Sequence, residues 1–142
     1  MNMRQSTQRG IALVEAMIAT VILAIGLLGT IGLQARAYSA MNDASSRAEA
    51  TMASEKLFGM MSTDMEHLSN YVLAEGGSGG TEMSDWVTET HAAIPGSKIA
   101  VSVKPASNGT TSTAVTVTIK WQRKARDPAN TSTMTSYLAT SS

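Results

Sequence analysis

The chain has 142 residues, 11 basic against 11 acidic side chains, 4% aromatic residues and no cysteine. One modest domain fits that length, and a thiol nucleophile, a disulfide and a cysteine-based metal site are excluded. Zero formal net charge argues against a general nucleic-acid binder, which needs a concentrated basic face; the lack of disulfides does not imply a reducing cytoplasm, since exported domains also do without them. Apolar residues are concentrated near the N-terminus and the rest is rich in Ser and Thr. The core should therefore be small and lean on a long helix or on neighbouring subunits.

Residues 1–10 form a short basic leader, with Arg4 and Arg9, that ends at Gly10. Residues 11–33 read IALVEAMIATVILAIGLLGTIGL, apolar apart from threonines and one charge, Glu15. Such a run matches the roughly 20 residues a helix needs to cross a bilayer. The leader arginines favour a cytoplasmic N-terminus, so the remainder should be exported.

Three readings of this segment compete. Ala35-Arg36-Ala37 supplies an A-x-A site for an ordinary signal peptidase, although an apolar region of that kind runs about 7–15 residues and this one is longer. A plain single-pass anchor leaves Glu15 unexplained, because a carboxylate deep in a bilayer is costly unless paired or neutralised. Cleavage between Gly10 and Ile11 accounts for it. The new ammonium would lie one helical turn before Glu15, able to neutralise it within the chain or across neighbouring helices, and a helix N-terminus itself favours an anion.

Arg9-Gly10 followed by Ile11-Ala12-Leu13-Val14-Glu15 resembles the type III signal of type IV prepilins and pseudopilins. The resemblance implies cleavage after Gly10 by a prepilin peptidase, N-methylation of Ile11 and a role for Glu15 in subunit assembly. Ile11 stands where Phe is commonest and Ala12 where Thr or Ser is usual; both keep the position small or apolar. The run from Val21 to Gln34, with its ILAIGLLG core, looks like the PilV minor pilins, or type IV pilus modification proteins. Gly26, Gly29 and Gly32 in that run suit close packing of membrane helices, or a helix segment weakened by about 1 kcal/mol per glycine.

After Leu33 the chain stays helix-compatible. Ala37, Met41, Ala44, Ala48 and Met52 make a narrow apolar stripe, which continues through Leu57, Phe58, Met61, Met65, Leu68 and Val72. The spacing predicts one helix from Ile11 to about Ala74, with a disturbance at Gly59 and a length of roughly 95 Å at 1.5 Å per residue. Residues 34–75 would be its periplasmic amphipathic half, and the methionines core rather than ligands.

Residues 76–142 complete the head. Gly76 to Gly80 breaks the helix. A short helix is expected over Met83 to Ala93, capped by Ser84 or Thr81, with Trp86, Val87 and Ile94 inward, and Pro95-Gly96 ends it. Lys98 to Lys104 and Ala114 to Trp121 alternate as strands, joined by a turn at Ser107 to Thr110, and a third strand is expected around Thr133 to Ala139. The expected class is α+β: a pilin-like long N-terminal helix, transmembrane in its first half, with a small antiparallel β-sheet packed on its second. The helix with its Trp, the Pro-Gly turn and the VTVTIKW strand also resemble the PilV group, more loosely.

No catalytic constellation emerges, so an enzyme is not expected. His67 and His91 lack a second ligand at metal spacing, no nucleophile elbow accompanies the Ser, His and Asp residues, and the glycine run lacks a following Lys-Ser/Thr. No cofactor is implied. Lys120, Arg123, Lys124 and Arg126 read as a solvated strand end, and the sequons at Asn108 and Asn130 as chance triplets. The expectation is a structural minor pilin that starts or primes pilus assembly. Its partners would be the prepilin peptidase, other minor and major pilins and the inner-membrane assembly platform. It would sit in the bacterial inner membrane, with a cytoplasmic N-terminus and periplasmic head, and then in the pilus. A type II secretion pseudopilin is the alternative within this class; an exported binding domain released after Ala37 is the alternative outside it.

Overall fold

The computed structural model describes residues 6–105, 112–122 and 128–139. In chain order it contains helix α1 (Ser6–Thr63), a 3-10 helix (Met65–Tyr71), helix α2 (Ser84–Ala93) and strands β1 (Lys98–Lys104), β2 (Ser112–Trp121) and β3 (Asn130–Ala139). This is the expected α+β, pilin-like arrangement of a long N-terminal helix and a small antiparallel sheet. Two compact units divide at Asp43 and Ala44.

In the first unit α1 is apolar on every side. Exposed large side chains run from Ile11 to Leu33 without a polar face, and the helix is long and apolar enough to cross a membrane. Its two threonines beyond Glu15 satisfy themselves: Thr20 Oγ1 donates to the Met17 carbonyl and Thr30 Oγ1 to the Leu27 carbonyl, both at 2.8 Å. Self-satisfied hydroxyls are what a lipid environment demands. The helix runs through Gly26, Gly29 and Gly32 without a break.

In the second unit α1 turns Ala50, Ser54, Leu57 and Met61 into the core, a 4-3-4 spacing that keeps them on one face. Ser54 Oγ donates to the Ala50 carbonyl at 2.8 Å, which satisfies the buried hydroxyl within the helix. The stripe expected at Ala44, Ala48 and Met52 is corrected: all three are exposed. The buried face lies about half a turn round from it. Gly59 leaves the helix undisturbed.

The helix does not reach Ala74. It stops at Thr63, and Asp64 takes a non-helical conformation (φ −130°, ψ 53°). Its carboxylate does not cap the 3-10 helix but accepts from Tyr71 Oη at 3.1 Å and meets His67 Nδ1 at 2.7 Å. A short Asp side chain that finds local partners competes with helix continuation. The chain then turns extended at Val72, and Leu73 bridges Val101 through two backbone hydrogen bonds of 2.9 Å. This detour buries Leu68, Tyr71 and Leu73 together.

α2 starts one residue later than expected, and its capping differs. Met83 occupies the N-cap without a side-chain bond, while Ser84 Oγ donates backwards to the Thr81 carbonyl at 3.1 Å. Trp86, Val87 and Ile94 face inward as expected. Trp86 Nε1 donates to the Ala53 carbonyl at 2.9 Å, and Lys56 pairs with Glu89 on the surface. Gly96, at φ 74°, makes the turn into β1.

The sheet is antiparallel with order β1-β2-β3. Lys98 pairs with Lys120 at one end of the first ladder, and Ser112 with Ala139 at one end of the second. β2 begins two residues before the expected Ala114 and β3 three before Thr133. Ile99, Val101, Val115, Val117, Ile119 and Trp121 alternate inward onto α1 and α2. The outer face is polar, with Thr116 and Thr135 sharing a hydroxyl hydrogen bond of 2.9 Å. The expected turn at Ser107 to Thr110 lies outside the described residues, as do Arg123, Lys124 and Arg126. Lys120 instead pairs with Glu75 at 2.6 Å.

Candidate processing and assembly segment

The segment around Gly10 is helical on both sides of the expected cut. A Cβ built on Gly10 meets no atom within 4 Å. Among the described residues nothing therefore requires glycine there. Ile11 is 67% exposed and presents an unshielded apolar side chain at the position where a mature chain would begin.

Glu15 lies one turn beyond Ile11 on the same face, with Val14 and Ile18 beside it. It is exposed, and among the described residues no cation pairs with it. A carboxylate on a helix that is apolar all round has two ways to avoid the desolvation cost: an ammonium supplied from outside, or its own new amino terminus. The geometry thus joins Gly10, Ile11 and Glu15 into one turn and a half of helix.

Among the described residues the head carries a titratable cluster that sequence inspection missed. His67 looked isolated, yet Asp64 stands three residues before it at the end of α1, and Tyr71 joins them. The hydrogen bond to Asp64 raises the His67 pKa above its ordinary 6.5, and the same bond lowers Asp64 below 3.8. Burial, and then the bond to Asp64, raises the Tyr71 hydroxyl. An Asp at a helix end with His at i+3 was the available signal. His91 Nδ1 lies 3.0 Å from Ser97 Oγ. Among the described residues, no three His, Asp or Glu side chains converge as metal ligands.

A family model described as "Prokaryotic N-terminal methylation motif" matches residues 5–31. No curated protein and no solved structure matches the chain. The match takes in Gly10, Ile11, Glu15 and most of the apolar run. With the long apolar helix it supports a type IV pilin-like precursor, a class that is structural rather than enzymatic. The motif implies processing by a prepilin peptidase and association with pilins, and the apolar helix fits a membrane-anchored chain.

Proposed function

We propose that the chain is a minor pilin of a type IV pilus. The prepilin peptidase cuts after Gly10, Ile11 is N-methylated, and Glu15 neutralises the amino terminus of a neighbouring subunit during assembly. The mature chain waits in the bacterial inner membrane with its head in the periplasm, on the assembly platform, and helps to start or prime the filament with other minor and major pilins. The ILAIGLLG run favours a PilV-like member over other minor pilins.

One observation carries this reading. A carboxylate without a cation partner among the described residues stands one turn beyond the scissile bond of a matched methylation motif, on a helix otherwise apolar all round. Such a charge is costly in lipid unless a partner completes it. The test separates processing from assembly. A Glu15→Ala chain should be cleaved yet missing from sheared surface filaments, whereas the unaltered chain is found in them. If both chains appear in filaments in equal amount, the role given to Glu15 is wrong. If the unaltered chain is processed but absent from filaments, and its deletion blocks protein secretion, a type II secretion pseudopilin replaces the pilus reading.

A further inference from the structure

The two edges of the sheet are treated differently. β1 is closed at its centre by Leu73, which exchanges both backbone hydrogen bonds with Val101. β3 has no such cover: among the described residues, no backbone group other than those of β2 bonds to it. Its ten residues pair with β2 in an unbroken register, without a bulge, and contain no charge and no proline. Proline, lysine, bulges and covering segments are the usual means by which an edge strand avoids pairing with another chain. Among the described residues β3 uses none of them. Its inward row, Ser132, Met134, Ser136 and Leu138, is only half-buried, so the sheet is also thinly covered on this side.

The order of residues says what fits. Thr131-Ser132-Thr133-Met134-Thr135-Ser136-Tyr137 reads nearly the same in both directions from Met134. Two copies of such a strand, laid antiparallel about a two-fold axis at Met134, bring Thr133 opposite Thr135 and Ser132 opposite Ser136. Only pairings of like parity keep the same face of both sheets on one side, because side chains alternate with period two. This one does. It would also repeat chemistry already present in the chain, since Thr116 pairs with Thr135 and Thr118 faces Thr133 across the β2–β3 seam. An uncharged edge brings no like charges together when it meets itself.

We propose that β3 is a homotypic docking edge, through which two copies of this chain join their sheets into one of six strands with Met134 on the two-fold axis. Such an interface is isologous: each copy offers the same patch. A two-fold axis normal to the sheet reverses every direction in its plane. The paired heads therefore run opposite ways.

The test uses the full chain in detergent micelles, where the lack of native cysteine makes any introduced thiol unique. With a short bifunctional thiol reagent, Met134→Cys should give a covalent dimer at least about tenfold faster than Lys98→Cys on the opposite edge. Adding Thr133→Lys and Thr135→Lys sets like charges opposite each other and should slow the reaction by about tenfold or more. Thr133→Glu with Thr135→Glu should do the same, and mixing the Lys and Glu chains should restore it. Equal rates at positions 134 and 98 would overturn the proposal, as would a mixture that fails to recover. Processing after Gly10 is independent of these changes, so failure here leaves the proposed function standing.

Discussion

Trp86 reaches back across 33 residues of sequence to donate its indole N–H to the Ala53 carbonyl at 2.9 Å. The bond comes from a buried ring, 2% exposed, and ties α2 to α1. Trp86→Ala should destabilise the head by about 3–5 kcal/mol through the cavity it leaves. Trp86→Phe keeps most of the apolar area and should cost less, with about 1 kcal/mol attributable to the lost hydrogen bond. Urea unfolding of the full chain in micelles, followed by Trp121 fluorescence, measures both. Equal costs for the two variants would mean that the hydrogen bond, and not the ring, holds α2.

Glycines in this chain divide by what surrounds them. Gly59 lies within α1, and a Cβ there meets nothing within 4 Å, so Gly59→Ala should stabilise the head by about 1 kcal/mol. Gly79 has φ 72° and would place a Cβ 3.1 Å from Met83 Cβ. Gly79→Ala should therefore cost at least about 1–2 kcal/mol from the left-handed backbone alone. The same urea experiment should move the two midpoints in opposite directions.

The Asp64–His67 pair makes the end of α1 sensitive to pH. The raised His67 pKa means that its contribution is fully present below 6.5 and fades as pH rises through the higher folded value. Asp64 works the other way, contributing above 3.8 and losing its part as pH falls through the lowered value. The contact is thus fully formed between 3.8 and 6.5. In an NMR titration, Asp64→Asn should bring the His67 midpoint down, though not fully, because Glu66 and Glu82 also raise it. A midpoint unchanged by Asp64→Asn would show that the contact does not form in solution.

Gly10 should tolerate substitution structurally but not in processing. Gly10→Leu meets no atom of the chain that would resist the first side-chain carbon, and a leucine is favoured over glycine in a helix interior. The variant should insert in the membrane and accumulate as the uncut precursor on an immunoblot. Normal cleavage of Gly10→Leu would show that the peptidase does not read this position.

Much of this was written in periodicity. Strict alternation in Lys98 to Lys104 and in the Val115-Val117-Ile119 run fixed two strands, and the apolar block with Glu15 marked the anchor and its signal. The end of α1 was not legible because apolar residues at Leu68 and Val72 kept helical spacing, while the decision lay with long-range contacts: Tyr71 on Asp64 and Leu73 on Val101. The buried face of α1 was misread for a related reason. Small residues such as Ala50 and Ser54 are buried while hydrophobicity favours the larger but exposed Met52. The prepilin-type signal was legible because leader, glycine, carboxylate and apolar run are local features, and the family match over residues 5–31 falls on them.

Intact-mass and N-terminal peptide analysis of the chain from cells that assemble the filament bears on Gly10 and Ile11 together. The expected species begins at Ile11 and carries one added methyl group on its amine. A mature chain that begins at Tyr38, or one that keeps Met1 to Gly10 when the peptidase is active, would contradict the processing on which the proposed assembly role depends.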